Sequence, residues 1–242
     1  MKQFNYDLLE NRKDQIEQDN SGENRVYHSP KGTYPSITNL IYHMISKPGI
    51  QAWRDKIGHK EADKISGRAA RKGTKVHNAI EKYLLGDENY LNNVMPDHKE
   101  LILTGIPQID ERIDNIRGIE LPMWSDGLKV AGTTDLVADY CGELAIIDWK
   151  TGGYIKKEEY ALNYILQGTA YCRMLYEMYG LLPKKLVICT FIRFSDPKKP
   201  VPFMDGDKVT DLFVEWKEYN PLDYIRRLKA ICDAFHHFRE NE

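Results

Sequence analysis

A pair of predicted strands joined by a two-residue turn constrains the fold of this 242-residue chain more than any other feature. The segments LKVAGTTDLVADY and ELAIIDW are rich in small and β-branched residues, which favours strands. Only Cys141 and Gly142 separate the two segments, and glycine accepts the positive φ that such a turn needs. The sequence therefore predicts an antiparallel hairpin in which Tyr140 faces Glu143.

This register brings two carboxylates together. Counting back from the turn, Asp135 faces Asp148, and facing residues have Cβ atoms about 4.5–5.5 Å apart. Because strand side chains alternate between the two faces, Lys150 shares the face of Asp148. Two carboxylates this close repel each other, and one protonates unless a cation lies between them. Carboxylate oxygens suit Mg²⁺ or Mn²⁺, and a neighbouring lysine can orient a water or help to deprotonate it.

A solvent-exposed hairpin with an ordinary Asp–Lys pair is the competing interpretation, because the DWK tripeptide is common by itself. The facing Asp135 favours the metal site, since a buried pair of carboxylates without a ligand is costly. Gly152 and Gly153 follow at once, and they let the chain turn away from the end of the strand.

The remaining segments predict an α/β or α+β core with a helical N-terminal region. Residues 1–33 are polar and predict a loose arm with one short helix around 6–18. Residues 34–118 predict helices, beginning near an N-cap at Ser36 or Thr38, and a loop that holds Pro96 and Pro107. Residues 119–242 predict strands and helices, and we expect 34–242 to form one compact domain. Beyond the hairpin, the elements expected are a helix over 158–179, strands over 185–194 and 207–216, and a helix over 222–238.

Composition excludes several classes of protein. The net charge is -2, so any positive charge that binds nucleic acid must be local. No run of about 18 apolar residues predicts a membrane span, and the polar start lacks the apolar core of a signal peptide. None of the four cysteines belongs to a CxxC pair, so we expect no zinc or iron–sulfur site and interpret them as reduced thiols of a cytosolic protein. They are Cys141, Cys172, Cys189 and Cys232.

A series of basic residues leads along a predicted helix toward His77. Five of them recur every four residues, which on a helix produces a slowly winding stripe. A solvated helix face is the usual meaning of such a run. Its approach to His77 favours a track for a phosphate backbone, and a single stripe on a near-neutral chain fits a narrow channel for a single strand. We call these residues the basic stripe: Lys56, Lys60, Lys64, Arg68, Lys72 and Lys75.

Two further pairs of polar residues have helical spacing. His77 and Glu81 lie at i and i+4, as do Gln167 and Tyr171. A lone histidine is more often structural than a ligand, and the second pair fits the polar edge of an amphipathic helix equally well.

The order of four motifs resembles a known nuclease family. GTKVH, AGTTD, IIDWKTG and QGTAY follow one another as GxxxH, GxxD, DxK and QxxxY do in the RecB-like branch of the PD-(D/E)xK nucleases. The segment RVYHSPKGTYPSITNL also resembles the YPSVTT opening of phage and mitochondrial RecB-like exonucleases. The resemblance covers most of the chain from about Arg25, and it implies a restriction-endonuclease-like core with a central mixed β-sheet flanked by helices.

The resemblance implies a metal site bound by residues from three motifs. Asp135 and Asp148 match the metal-binding carboxylates of the family, and the backbone carbonyl of Trp149 matches a further ligand. His77 matches the family histidine near the metal. Glu120 is a candidate for the upstream acidic residue. The implied cofactor is Mg²⁺ or Mn²⁺, and the lack of a cysteine set places the chain with stand-alone exonucleases that carry no iron–sulfur cluster.

The remaining matches imply the chemistry. Lys150 matches the catalytic lysine, and Gln167 with Tyr171 matches a pair that positions DNA and orients that lysine. The expected function is a metal-dependent DNA exonuclease that hydrolyses phosphodiester bonds at single-stranded ends. A restriction-like or structure-specific endonuclease on the same core, an inactive DNA-binding module and an unrelated α/β protein with chance motifs are the alternatives.

The resemblance also suggests a cellular context. We expect DNA, single-stranded or with single-stranded ends, as the substrate, and replication or recombination proteins as partners. A monomer in the cytoplasm of a bacterium or a phage-infected host is expected, with no membrane association and a role in DNA repair, recombination or replication.

Overall fold

The computed structural model describes residues 1–242 except 11, 23, 156, 159–160, 195–202, 206–207 and 241–242. Its N-terminal part is a small antiparallel sheet, and the prediction of a loose arm with a helix over 6–18 is wrong apart from one 3-10 turn at Lys13–Gln15. Tyr27 and Ile16 are buried against Trp124 and Ala131. This polar segment is therefore held in place by contacts with residues that are far away in the sequence. The strands are β1 (Glu17–Asp19), β2 (Val26–Ser29) and β3 (Gly32–Pro35).

Four helices follow, as the sequence predicts. Ser36 occupies the N-cap position of the first, and Gly58, at φ 89°, separates the second from the third. The prediction that Pro96 and Pro107 lie in a loop is wrong. Pro96 begins the fourth helix, where its missing N–H costs little, and Pro107 lies inside that helix, whose buried apolar face outweighs one lost hydrogen bond. The helices are α1 (Ile37–Ile41), a π-helical turn (Tyr42–Ser46), α2 (Lys47–Ile57), α3 (His59–Leu84) and α4 (Pro96–Arg112).

The second half forms the core. Its first strand begins at Ile113. The change from helix to strand was expected near residue 119, which is six residues too far along the chain. The structure contains the predicted hairpin strands, the helix and strand that follow them, and the closing helix. Three positions within the predicted elements, residues 159, 160 and 207, lie outside the described residues. The elements are β4 (Ile113–Ser125), β5 (Val130–Tyr140), β6 (Glu143–Gly152), α5 (Leu162–Tyr179), β7 (Lys185–Arg193), β8 (Phe203–Asp205), β9 (Lys208–Thr210), β10 (Leu212–Tyr219) and α6 (Ile225–Glu240).

A five-stranded mixed sheet organises this core in the order β10-β7-β6-β5-β4. Only β6 and β7 are parallel, and α5 connects them across one face. One apolar cluster packs α3 and α4 on one face of the sheet, and a second packs α1, α5 and α6 on the other. The expected α/β fold with a mixed sheet flanked by helices is therefore confirmed.

Two further expectations concern membrane-spanning helices and the four cysteines. In the described part of the chain, no helix is both long and apolar enough to cross a bilayer. Cys141 is exposed in the hairpin turn, whereas Cys172, Cys189 and Cys232 are buried as free thiols.

Candidate active site

The hairpin has the predicted register. Cys141 and Gly142 form its turn with φ values of 49° and 81°, and Tyr140 pairs with Glu143. Pairing continues in step to Leu136 and Ile147, so Asp135 and Asp148 are the next residues on the two strands.

A short network of polar contacts links the two strands at this point. Asp148 is buried, and its Oδ2 atom forms an ion pair with the ammonium group of Lys150. The backbone N–H of Trp149 donates a hydrogen bond to Asp135 Oδ2 over 2.8 Å. His77, from α3, places Nδ1 3.5 Å from the same Asp135 oxygen. The network joins the DxK, GxxD and GxxxH motifs.

Three side chains offer a set of metal ligands. Ligand atoms of His77, Glu120 and Asp135 all lie within 4.8 Å of one another. Glu120 lies in β4 between the pairs Ile119–Leu136 and Leu121–Thr134, which places it opposite Asp135. Its φ of 45° is unusual for a residue with a side chain.

Two carboxylates and an imidazole are a donor set that suits a divalent cation. Asp148 is not among the three clustered ligands, and its described ion pair is with Lys150. The residues present therefore fit a metal ion held mainly between β4, β5 and α3.

Burial and mutual charge shift the pKa values of both carboxyl groups. Burial raises the pKa of Asp148, where Lys150 opposes the shift and Asp135 reinforces it. Burial also acts to raise the pKa of Asp135, but the hydrogen bond with His77 and the charge of Lys150 outweigh it and lower that pKa. The more accessible carboxyl group is therefore the better ionised one.

For the two basic groups, burial acts to lower the pKa and the nearby carboxylates act to raise it. Burial disfavours the ammonium of Lys150, but Asp148 and Asp135 outweigh this and raise its pKa. Burial likewise acts against protonated His77, and the contact with Asp135 overcomes it, so the pKa of His77 is raised. Lys150 and His77 thus both supply positive charge that opposes the two carboxylates.

The QxxxY pair is physically joined to the GxxD motif. Gln167 Nε2 donates a hydrogen bond to the hydroxyl of Tyr171 over 3.0 Å. The ring of Tyr171 is buried against Gly132, where an added Cβ would lie 2.8 Å from Tyr171 Cε1. Glycine at 132 therefore leaves the room that Tyr171 occupies.

One cleft of about 520 Å³ collects side chains from all four motifs. Asp148 and Trp149 lie behind its wall rather than on its surface. Its lining residues are Gln18, Arg25, Tyr27, Thr38, Ala70, Gly73, Thr74, His77, Asn78, Glu120, Thr133, Asp135, Lys150, Gln167 and Tyr171.

The basic stripe does not line this cleft. Five of its six side chains are exposed. The Nζ atom of Lys64 lies 3.6 Å from Oε2 of Glu61, so these two side chains form an ion pair. Lys72 is half-buried instead, and burial together with the nearby charge of Arg193 lowers its pKa. A role of the stripe in binding DNA stays a prediction.

Sequence reasoning missed several residues of the cleft. Thr133 and Asn78 adjoin recognised motif residues, so inspection of motif neighbours would have found them. Arg25 opens the segment that resembles the N-terminal exonuclease motif, but nothing in its local pattern places it in the same cleft as Asp135. Gln18 carries no signal of this kind.

Comparison with known families agrees with this geometry. The family model of the PD-(D/E)XK nuclease superfamily matches residues 89–228, more than half of the chain. The chain therefore belongs to that superfamily, whose members are nucleases that use divalent metal ions. The match begins after His77, so the GxxxH motif lies outside it.

Curated relatives carry one shared name. The chain is 24% identical over 129 residues to mitochondrial genome maintenance exonuclease 1 of Mus musculus, which is 50% of this chain and 38% of that protein. The protein of that name in Homo sapiens is 23% identical over 128 residues, which is 50% of this chain and 37% of that protein. The protein of that name in Xenopus tropicalis is 22% identical over 131 residues, which is 51% of this chain and 38% of that protein. The matched stretch thus spans less than two fifths of the length of these relatives.

Proposed function

We propose that this superfamily member is a metal-dependent DNA exonuclease that hydrolyses phosphodiester bonds from single-stranded ends. The observation that carries the proposal is one cleft in which His77, Glu120 and Asp135 cluster as metal ligands beside Lys150. The name of the curated relatives supports an exonuclease in particular.

The proposed metal ligands come partly from the contacts and partly from the family resemblance. Asp135, Glu120 and His77, whose ligand atoms cluster, would hold Mg²⁺ or Mn²⁺. By resemblance to the family, Asp148 and the backbone carbonyl of Trp149 would add to this set. When bound, the divalent cation lowers the pKa of a coordinated water and neutralises charge that develops on the phosphate.

Lys150 acts on the attacking water. Burial acts to lower the pKa of Lys150, but the charges of Asp148 and Asp135 outweigh it, so this pKa is raised. Lys150 would orient the attacking water or help to deprotonate it, and a divalent cation held by the carboxylates would offset part of their negative charge. Its ammonium nitrogen lies 5.1 Å from the centre of the Tyr164 ring, a contact that also limits its movement.

Gln167 and Tyr171 also line the cleft. Their mutual hydrogen bond fixes both side chains, and the cleft gives both of them access to substrate. We assign them to positioning the DNA strand and keeping Lys150 in place.

The size of the cleft supports a single strand. A volume of about 520 Å³ is within the range of roughly 300–1,000 Å³ of pockets that hold small molecules, which is the scale of a few nucleotides rather than of a duplex. In this proposal the exposed basic stripe holds the strand outside the cleft through its phosphates. We further propose that the chain works as a monomer on DNA during replication, recombination or repair.

Cleavage of a linear strand and of its circular form tests the proposal. We expect a 5′-labelled single strand to be degraded with Mg²⁺ or Mn²⁺, and the same strand after circularisation to persist. The matched variants are Asp135→Asn, which removes a ligand carboxylate, and Asp223→Asn, which changes an exposed carboxylate outside the cleft. Cutting of both substrates would establish the endonuclease alternative, and silence on single-stranded and duplex DNA would favour a non-catalytic module.

A further inference from the structure

We propose that Arg25 binds a phosphate of the DNA strand in the cleft, and that the N-terminal sheet is therefore one wall of the substrate site. This inference rests on the proposed nuclease function. Among the described residues that line the cleft, Arg25 and Lys150 are the two with lysine or arginine side chains.

These two cations differ in what they contact. Lys150 is committed to the carboxylate of Asp148. Arg25 is exposed at the cleft, and it makes no ion pair with any residue that the structure describes. Its guanidinium group is therefore available to an anion from solution, and its planar fork of N–H donors matches two phosphate oxygens.

The backbone of Arg25 is fixed relative to the metal ligands. Its carbonyl accepts a hydrogen bond from Ser36 N over 3.1 Å, and Ser36 forms a β-bridge with Ala131. Ala131 belongs to β5, the strand that carries Asp135 four residues later. The wall and the metal site therefore share one strand, so the position of the arginine does not depend on a free loop.

The wall is also packed from behind. Tyr27 is buried, and its hydroxyl donates a hydrogen bond to Gln18 Oε1 over 3.0 Å. That bond occupies the amide oxygen of Gln18 and leaves its N–H₂ group to donate to an anion. Lys31 and Tyr34 both contact Asp126 at 2.8 Å, which ties the second edge of the small sheet to the turn before β5.

A chemical double-mutant cycle tests the contact directly. Wild type, Arg25→Gln, Arg25→Lys and the exposed control Arg227→Gln are titrated with a single-stranded oligonucleotide in Ca²⁺, so that binding is measured without turnover. The same titrations are made with oligonucleotides in which one phosphate at a time is replaced by a neutral methylphosphonate. Thermal unfolding of each variant shows whether the fold is retained.

We expect Arg25→Gln to weaken binding by roughly tenfold and to lower the magnitude of the salt slope by about 0.7, the value for one phosphate of a single strand. Arg25→Lys should restore the salt slope but only part of the affinity, because lysine lacks the bidentate fork. One methylphosphonate position should weaken binding to wild type and to Arg227→Gln, and should leave binding to Arg25→Gln unchanged.

The outcomes separate this inference from the proposed function. If Arg25→Gln and Arg227→Gln bind with equal affinity, or if every methylphosphonate affects Arg25→Gln as it affects wild type, Arg25 does not hold a phosphate. If wild type shows the coupling but never cleaves with Mg²⁺ or Mn²⁺, the exonuclease proposal fails while the contact stands. A chain that does not bind the oligonucleotide overturns both.

Discussion

The backbone N–H of Trp149 donates to Asp135 Oδ2, so the strand that carries the DxK motif also orients the carboxylate of its neighbour. The Asp135 oxygen that accepts this bond also lies 3.5 Å from His77 Nδ1. One carboxylate therefore connects β5, β6 and α3, and its substitution tests the metal site without removing a large side chain.

Asp135→Asn should abolish metal binding with little loss of stability. The amide oxygen still accepts from Trp149 N–H, but the charge that attracts a divalent cation is lost. We expect cleavage to fall by at least about 100-fold, with the calorimetric signal for Mn²⁺ binding absent. Asp223→Asn should bind Mn²⁺ as wild type does. Full activity of Asp135→Asn would remove Asp135 from the ligand set.

Lys150→Met should separate metal binding from catalysis. The substitution leaves Asp148 buried without its counter-charge, so the metal-free protein should lose stability. Added Mg²⁺ or Mn²⁺ should then raise the melting temperature more than in wild type, because the cation no longer competes with an ammonium group. Cleavage should be absent, whereas the exposed control Lys229→Met should cleave normally. A variant that keeps activity would exclude Lys150 from the reaction.

The hairpin and its register could be predicted because they depend on local information. Cys141-Gly142 specifies the turn, and alternation then determines which residues face one another across β5 and β6. The order of the four motifs also predicted which residues from other parts of the chain would lie near this hairpin in the cleft. These features are readable because each depends on spacing within a short segment or on a family pattern.

The wall of the cleft could not be predicted in the same way. Tyr27 is buried only because Trp124 and Ala131 lie against it, and both are about a hundred residues away in the sequence. A polar segment with little periodicity thus became a sheet through contacts that local propensity does not contain. Pro107 inside α4 is a second example, in which tertiary packing outweighs a helix-breaking residue.

Gly132→Ala should lower stability and disturb the QxxxY pair. The added methyl group would lie 2.8 Å from a ring carbon of Tyr171, so we expect a loss of about 1–3 kcal/mol in the free energy of unfolding. Gly49→Ala is the control, because no atom lies within 4 Å of its added Cβ. Denaturant unfolding measures both. The cost at Gly132 should shrink in a Tyr171→Ala background, and a cost unchanged there would mean that Tyr171 is not the obstacle.

Charge reversal on the basic stripe should affect long substrates more than short ones. Lys64 and Arg68 are exposed on α3 and do not line the cleft. The double variant Lys64→Glu and Arg68→Glu should weaken binding of a long single strand and flatten its salt dependence. Cleavage of an oligonucleotide only a few nucleotides long should be unchanged. The control pair Arg226→Glu and Arg227→Glu lies on α6, and equal effects of the two pairs would remove the stripe from the DNA path.

Asp126 should stabilise the N-terminal wall in a pH-dependent manner. Burial acts to raise the pKa of Asp126, but the contacts with Lys31 and Tyr34 outweigh it, so the pKa of this carboxyl group is lowered in the folded protein. A lowered folded pKa contributes stability that is present above the unfolded value and is lost as pH falls through the folded value. Because the carboxylate is partly exposed, we expect Asp126→Asn to cost at most about 1 kcal/mol at pH 7.

Urea unfolding at pH 7 and at the lowest pH that retains the fold checks this expectation. The difference in stability between wild type and Asp126→Asn should diminish as pH falls from about 4 toward the lower folded-state pKa, since the carboxyl group becomes neutral first in the unfolded and then in the folded state. Asp223→Asn, which changes an exposed carboxylate away from Lys31 and Tyr34, is the matched control. A difference that stays constant with pH would mean that Asp126 acts through packing and not through its charge.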